Sequence, residues 1–505
     1  MTNTIYFQSI LTGLTCALAF YFPETIYSVG LGWISALLLC HITKKSEGSY
    51  KIIYLSGVVA HIFGFYWLVN TISNFGNFPY WAAILIYLLF ALSNSLFFLV
   101  LPLIYKSLPA TLDNFFLRIP IAWSVAEFIP FRIFPWHYGH TQLAFLQFVQ
   151  IADIAGAIAV TFVMFWIASL LEELISKRNF RWQIIFPLLI LVTTLVYGTI
   201  RIEHFENLNN PAQKIAVIQG NIPIQEKHSQ SQFKENIDTY VNLGKAYEDE
   251  NTLIIWPETI IMAALPTNIT KLKSLPFLSP IPKWLIGTLM VDENGAVYNS
   301  ALAISNGSMA FDAYHKMILM PFGEYAPFSK TFPWLLELAH MEGQLTPGTN
   351  LKIINYETGT NTPPFKVAPL ICYEDLVAAM GRKATLLGAN VLVNITNDAW
   401  FGNTAAPYQH NGIAAFRALE NRRFLIRAAN TGLSSVIAPT GKTLSQTKPF
   451  MQGTLVAEVQ PITELSLYTK TIGDSPWWGL SILSVFFIVF SFLKKGSAAK
   501  SNLNF

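Results

Sequence analysis

The chain has 505 residues, with 33 Lys plus Arg against 30 Asp plus Glu and a formal net charge of +3, a balance that excludes the basic footprint of a nucleic-acid-binding protein. Hydrophobic residues make up 52% and charged residues only 12%, about half the roughly 25% of ordinary globular domains, which excludes disorder and argues against a purely soluble protein. Of the charged residues, 44 fall within positions 201–475 and 19 in the other 230. The composition therefore predicts a soluble domain set between membrane parts.

A helix needs about 20 apolar residues to cross the hydrocarbon of a bilayer. Eight segments come close: 5–22, 25–42, 52–73, 79–104, 115–131, 150–171, 182–200 and 476–493. The fifth holds Glu127 and is bordered by Arg118 and Arg132, so a re-entrant or cavity-facing helix is the alternative there. Cytoplasmic loops hold the Lys and Arg. With the N-terminus inside, Lys44, Lys45, Lys51, Lys106, Arg118, Lys177, Arg178, Arg181, Lys494, Lys495 and Lys500 all fall on the cytoplasmic side, and only Arg132 lies in a short outer loop. The spacing thus predicts a membrane domain over 1–200 with about seven spans, an extracytoplasmic domain over 201–475, and a last span with a basic cytoplasmic tail over 476–505. The N-terminal stretch has no basic leader and no clear cleavage pattern after Phe22, so the first span is expected to be retained as an anchor.

From Ile215 the pattern changes to short, β-branched apolar runs between turns. Strands are predicted at 215–218, 253–256, 284–289, 300–304, 366–371, 391–395 and 434–438, and helices at 231–248, 375–388 and 407–422. Apolar runs of four to seven residues suit strands buried on both faces, so an α/β or α+β domain is expected. Residues 263–282 and 320–350, rich in Pro, read as long surface loops or arms.

Cys16 and Cys40 lie in the first two predicted spans, which leaves Cys372 alone in the outer domain. A lone cysteine there is either buried and inert or a reactive thiol. It follows the apolar run 367–371 and precedes a helical pattern, a junction where a helix N-terminus can stabilise a thiolate. The adjacent Glu374 and Asp375 oppose that effect, so a separate base or cation is required. Glu258 in Trp256-Pro257-Glu258-Thr259 ends a predicted strand, and Lys316 follows His315 shortly before Pro321-Phe322-Gly323-Glu324-Tyr325. Each alone reads as a solvated side chain. Together, a carboxylate, a fixed cation and a thiol supply base, oxyanion stabiliser and nucleophile. None of the nine His forms a ligand cluster with acidic or Cys partners in the sequence, so no metal or other cofactor is expected.

The order Glu, Lys, Cys resembles that of the nitrilase superfamily, whose fold is an α-β-β-α sandwich. Set between seven upstream spans and one downstream, it is similar to the membrane-embedded apolipoprotein N-acyltransferase family. The resemblance covers nearly the whole chain and rests on Gln219-Gly220-Asn221-Ile222-Pro223, Trp256-Pro257-Glu258, Pro321-Phe322-Gly323-Glu324-Tyr325, Cys372-Tyr373-Glu374, Asn394 with Asn397-Asp398-Ala399-Trp400-Phe401-Gly402, and Phe134-Pro135-Trp136. It implies Glu258 as general base, Lys316 as oxyanion stabiliser and Cys372 as nucleophile, with Glu324, Tyr373 and Glu374 as supporting residues. One departure is Gln225-Glu226-Lys227-His228, where many relatives carry a Trp.

The resemblance further implies transfer of a fatty acyl chain from a membrane phospholipid, through a Cys372 thioester, to the N-terminal α-amino group of a diacylglyceryl-cysteine apolipoprotein. It implies a bacterial inner-membrane enzyme with its catalytic domain on the periplasmic side, and Phe134, Trp136 and the Pro-rich loops as lipid-facing walls. Two alternatives stay open on sequence alone. In a membrane-tethered amidase, water would resolve the acyl-enzyme; in a receptor or transporter, the outer domain would only bind a ligand.

Overall fold

A computed structural model describes residues 2–76, 78–177, 182–227, 230–269, 275–305, 311–338, 344–357 and 364–501. Arg178, Arg181 and His228 lie outside the described residues. The chain divides into two units, one of Met1–Tyr66, Ile84–His204 and Lys470–Phe505, the other of Trp67–Ala83 and Phe205–Thr469.

The first unit is helical. Among the described residues of the chain, five helices are long and apolar enough to cross a membrane: Ile26–Lys45, Tyr80–Ser107, Ala157–Ser176, Trp182–Glu206 and Ser475–Lys494. A sixth is added if Tyr50–Gly64 and Leu68–Asn74 count as one broken span. The segments expected at 5–22 and 115–131 hold helices Thr2–Ala19 and Arg118–Phe128. The second has 11 residues, short of the about 20 that a span needs. Its Glu127 is 1% exposed and accepts from Trp123 Nε1 at 2.8 Å, the Tyr138 amide at 2.9 Å and Thr161 Oγ1 at 2.9 Å, with His137 Nδ1 at 3.1 Å. Asp153 accepts from the Tyr197 hydroxyl at 2.6 Å and Arg201 Nε at 3.0 Å. Both carboxylates are held by fixed donors, as a charge in an apolar bundle must be. Trp136 corrects an expectation: it faces no lipid but is buried against the rings of Phe20, His61, Phe97 and Tyr138.

The second unit is a four-layer sandwich. Its first sheet contains β1 (Gln213–Gln219), β2 (Thr252–Ile255), β3 (Ile261–Pro266), β4 (Lys283–Val291), β5 (Val297–Ile304), β6 (Phe311–His315) and, at one edge, β13 (Gly453–Val459), in the order β13-β1-β2-β4-β5-β6 with β3 also paired to β4. The second sheet contains β7 (Ile354–Tyr356), β8 (Phe365–Ile371), β9 (Val391–Thr396), β10 (Phe424–Ala429), β11 (Ser435–Ile437) and β12 (Thr443–Gln446), ordered β12-β11-β10-β9-β8-β7. The central strands β1, β2 and β4 run parallel, as do β8, β9 and β10. These are the apolar β-branched runs, and parallel strands covered on both faces select such sequences. Helix Phe233–Gly244 covers the outer face of the first sheet, setting Ile237 and Tyr240 against Ala216, Ile218 and Ile254. Helices Ala378–Leu386 and Ala406–Asn421 cover the second. Tyr356 crosses between the sheets, its hydroxyl donating to the Trp284 carbonyl at 2.8 Å.

All seven predicted strands and all three predicted helices are present within a few residues. The stretch expected as a surface loop from 263 begins instead inside β3, because Ile261–Pro266 finds a parallel partner in β4. From the N-terminal half, Trp67 Nε1 donates to Gln409 Oε1 at 3.0 Å and its ring meets Phe401 at 4.8 Å. This ties the segment Trp67–Ala83 to the sandwich.

His410, which has no acidic neighbour in sequence, sits between two aspartates in the fold. Its Nε2 is 2.8 Å from Asp375 Oδ1 and its Nδ1 3.1 Å from Asp398 Oδ1, with Arg427 at 3.6 Å and 3.9 Å from the same two carboxylates. Burial opposes the imidazolium, but Asp375 and Asp398 outweigh it and raise His410 to about 9. A group raised from its ordinary 6.5 contributes stability that is complete below that pH and is lost as pH rises through about 9. His410→Gln should therefore lower the melting temperature most near about pH 6 and least above about pH 9. Equal losses in scanning fluorimetry at the two ends would show that the charge contributes nothing.

Candidate active site

The carboxyl ends of the parallel strands face one side of the sandwich, where α/β folds bind ligands, and each expected site residue follows a strand there or beside it. β2 ends at Ile255. Trp256 then buries its ring edge-on to Trp284 with centroids 5.6 Å apart, an arrangement worth about 0.5–1.5 kcal/mol beyond burial, and this anchors the turn Pro257-Glu258-Thr259. The turn lies directly on β4. A Cβ at Gly287 would be 2.1 Å from the Pro257 carbonyl oxygen and 2.5 Å from Glu258 Cα, so only glycine allows this approach. Thr259 takes φ +48°, a left-handed conformation that is unusual for a β-branched residue.

Lys316 follows β6. Its amide donates to the Asn299 carbonyl of β5 at 2.8 Å, and its own carbonyl accepts from the Gly348 amide at 2.7 Å. Cys372 follows β8 with φ +50°, a strained conformation of the kind found where a side chain must be aimed. Asn394 Nδ2 donates to the Cys372 carbonyl at 3.0 Å. Glu374 fastens this turn to the Lys316 segment. Its Oε2 accepts from the Ile371 amide at 2.7 Å, and its Oε1 accepts from the Tyr314 hydroxyl at 2.7 Å and from the Met317 and Ile318 amides at 2.7 Å and 3.1 Å. The acidic pair beside the cysteine is thus absorbed by the fold, Glu374 here and Asp375 on His410.

The charges converge on Lys316, which is 1% exposed. Its Nζ lies 2.7 Å from Glu324 Oε2 and 3.5 Å from Glu258 Oε1. Burial works against the ammonium, yet Glu324 and then Glu258 outweigh it and hold Lys316 above the usual lysine range. Asn299 Nδ2 bridges the two carboxylates, donating to Glu258 Oε1 at 2.7 Å and Glu324 Oε1 at 2.9 Å. The Met320 amide donates to Glu324 Oε2 at 2.7 Å. Among the described residues the second oxygen of Glu258, Oε2, is buried without a hydrogen-bond partner, so one lone-pair site on this carboxylate is free to take a proton.

The Cys372 thiol is pushed well above its ordinary value by burial and by Glu258, with Lys316 and the Thr396 hydroxyl acting the other way. It is therefore a neutral thiol near pH 7, and any use of it as a nucleophile would require a base to take its proton. Burial likewise raises Tyr373 to about 12, keeping its phenol protonated. Asn299, Thr396 and the buried Lys227 were missed in the sequence. A polar residue inside a largely apolar strand is the signal that Asn299 and Thr396 carried, shared with Ser300 and Asn394 on the same strands.

The α-β-β-α sandwich is that of a carbon-nitrogen hydrolase domain, and residues 214–464 match the carbon-nitrogen hydrolase family model. Residues 12–170 match the apolipoprotein N-acyltransferase N-terminal domain. The apolipoprotein N-acyltransferase of Geobacter metallireducens is 28% identical over 492 residues, covering 94% of this chain and 92% of that one. That of Haemophilus ducreyi is 28% identical over 488 residues, covering 93% and 91%; that of Rickettsia prowazekii is 27% identical over 505 residues, covering 95% of each. The chain belongs to the apolipoprotein N-acyltransferase family.

Two substitutions separate architecture from chemistry. Glu374→Gln turns an amide group toward an N–H or O–H donor in either orientation and should cost about 1–3 kcal/mol of stability in chemical denaturation. Asn299→Ala frees both carboxylates around Lys316 and should lower turnover by roughly 10²-fold with the melting temperature little changed; an unaltered turnover number would remove Asn299 from the site.

Proposed function

We propose that this enzyme moves a fatty acyl group from a membrane phospholipid to the N-terminal α-amino group of a diacylglyceryl-cysteine apolipoprotein, through a thioester on Cys372. The protein is a membrane-associated acyltransferase of lipoprotein maturation. The observation that carries the mechanism is the buried Oε2 of Glu258, without a hydrogen-bond partner among the described residues, on a carboxylate whose other oxygen is fixed by Asn299 and Lys316.

In the first half-reaction Glu258 takes the thiol proton as the sulfur attacks the ester carbonyl. Lys316 stabilises the tetrahedral oxyanion. The C–O bond breaks, the lyso-phospholipid oxygen recovers the proton from Glu258, and the C–S bond of the thioester remains. In the second half the neutral amine attacks the thioester carbonyl and gives a proton to Glu258. The C–S bond then breaks, the thiolate takes that proton, and an amide is left on the lipoprotein. Glu324 keeps Lys316 charged and in place, while Tyr373 and Glu374 shape the turn that presents the sulfur.

An amidase would use the same three residues with water in place of the amine. Transfer is favoured by the match of residues 12–170 to the N-terminal domain of the N-acyltransferases, which lies outside the carbon-nitrogen hydrolase match at 214–464. A bacterial inner-membrane location belongs to the same reading; the basic residues flanking the apolar segments favour residues 201–475 on the periplasmic side with both termini cytoplasmic, an arrangement that counts 115–131 as a crossing although its helix has 11 residues.

Incubating the detergent-purified enzyme with phospholipid alone should add the mass of one acyl chain, removable by hydroxylamine and absent in Cys372→Ala. Cys372→Ala and Glu258→Gln should each lower turnover at least about 10³-fold while melting like the wild type. Wild-type activity in either variant would overturn its assigned role. Release of free fatty acid without an adduct would favour the amidase.

A further inference from the structure

The stretch Gln225-Glu226-Lys227-His228 follows the Gly220-Asn221-Ile222-Pro223 turn, and the mechanism above does not use it. Lys227 ends the short helix Ile224–Lys227, which follows β1 and the Gly220-Asn221-Ile222-Pro223 turn. Its side chain is 5% exposed. The ammonium donates to the Glu258 carbonyl oxygen at 2.8 Å and to Thr259 Oγ1 at 2.7 Å, the two residues of the turn that aims the general base. Thr259 is the residue held at φ +48°, and a strained turn persists only where surrounding contacts fix it.

Unlike Lys316, which sits between two carboxylates, Lys227 makes no contact ion pair among the described residues. A buried cation without a contact partner is costly. The opposite charges that act on it are Glu258, from the turn after β2, and Cys372, when ionised, at the end of β8. Glu226 on its own helix is exposed.

We infer that Lys227 is a positioning residue of the acyl-transfer site. It clamps the left-handed Glu258–Thr259 turn through its backbone and hydroxyl, and its charge, which makes no contact ion pair among the described residues, acts on the Cys372 sulfur as negative charge develops there. The inference rests on the reading of Cys372 as nucleophile and Glu258 as base. Burial, only partly opposed by Glu258 and Cys372, lowers Lys227 to about 8, so its charge is present at neutral pH and is lost in the mildly alkaline range.

The test uses the full-length enzyme in detergent and two readouts: acyl-adduct formation with phospholipid alone, followed by intact mass, and alkylation of Cys372 by iodoacetamide from about pH 6 to about pH 10, followed by peptide mass. Lys227→Met should slow adduct formation by roughly tenfold or more and remove the bend near pH 8 from the alkylation profile. Lys227→Arg should retain the charge, recover part of the rate and move the bend upward. Thr259→Val, which keeps the lysine and removes only its hydroxyl partner, should slow adduct formation with the bend retained. That keeps the inference testable if Lys227→Met does not fold. Wild-type rates and profile in Lys227→Met would overturn it, as would equal losses in Met and Arg variants with the bend unchanged, which would reduce Lys227 to a packing element. A wild type that gains no acyl group on Cys372 would instead overturn the nucleophile assignment, while the alkylation profile still reports whether Lys227 acts on the thiol.

Discussion

A lysine ammonium that is 1% exposed stays charged only if opposite charge is brought to it. Much of the geometry around the site follows from that demand at Lys316. Glu324 meets it directly at 2.7 Å and Glu258 at 3.5 Å. Two carboxylates so close to one another repel, and Asn299 relieves this by donating to both from a single amide nitrogen. Asn299 itself is fixed by the β5–β6 ladder that also positions the Lys316 backbone. The cation, its counter-ions and their bridge therefore form one unit. Glu258 thereby keeps one oxygen committed and, among the described residues, the other without a hydrogen-bond partner.

The cysteine is presented by a different device. Lys316 leaves the edge of the first sheet and Cys372 leaves the second, so contacts crossing between sheets must hold them in register. Glu374 does this, taking four donors from both sides. On the neighbouring strands Asn430 plays a parallel part. Its Oδ1 accepts from the Ile222 amide at 3.0 Å and the Tyr240 hydroxyl at 2.9 Å, while its Nδ2 donates to the Ile222 carbonyl at 2.7 Å and Asn397 Oδ1 at 3.1 Å. The Gly220-Asn221-Ile222-Pro223 and Asn397-Asp398 motifs, individually weak as sequence signals, are thus the two halves of a single intersheet fastening. Gly220 belongs to it as well, since a Cβ there would fall 2.4 Å from the Tyr240 ring.

The legible strands were those whose residues face apolar layers on both sides, such as β1, β2, β4, β8 and β9. A chain segment advertises itself in that way whatever it pairs with. The unrecognised strands are mostly those whose partner supplies the order. β12 reads Thr443-Leu444-Ser445-Gln446 and lies at a sheet edge; β13 alternates exposed and buried positions against β1; β10 carries Arg427, whose burial makes sense only beside Asp375 and Asp398. The membrane half shows the same division. Hydropathy located the apolar segments, whereas the inward turn of Trp136 is a property of the aromatic cluster around it.

The sequence by itself located the apolar segments and the central strands and named Glu258, Lys316 and Cys372 as candidates, because each of these is a local matter of composition, periodicity or a short motif, although it set Trp67–Ala83 among the apolar spans and the structure groups it with the sandwich. Tertiary structure alone decided which oxygen of Glu258 is held by Asn299 and Lys316, that Asn299 bridges two carboxylates, that Glu374 is an intersheet tie, that His410 lies between two aspartates, and that Lys227 bears on the Glu258 turn. These are relations between groups brought together from strands and turns far apart in the chain. Hydrogen bonds and charge interactions act over a few ångströms of space, and separation along the sequence carries no record of them.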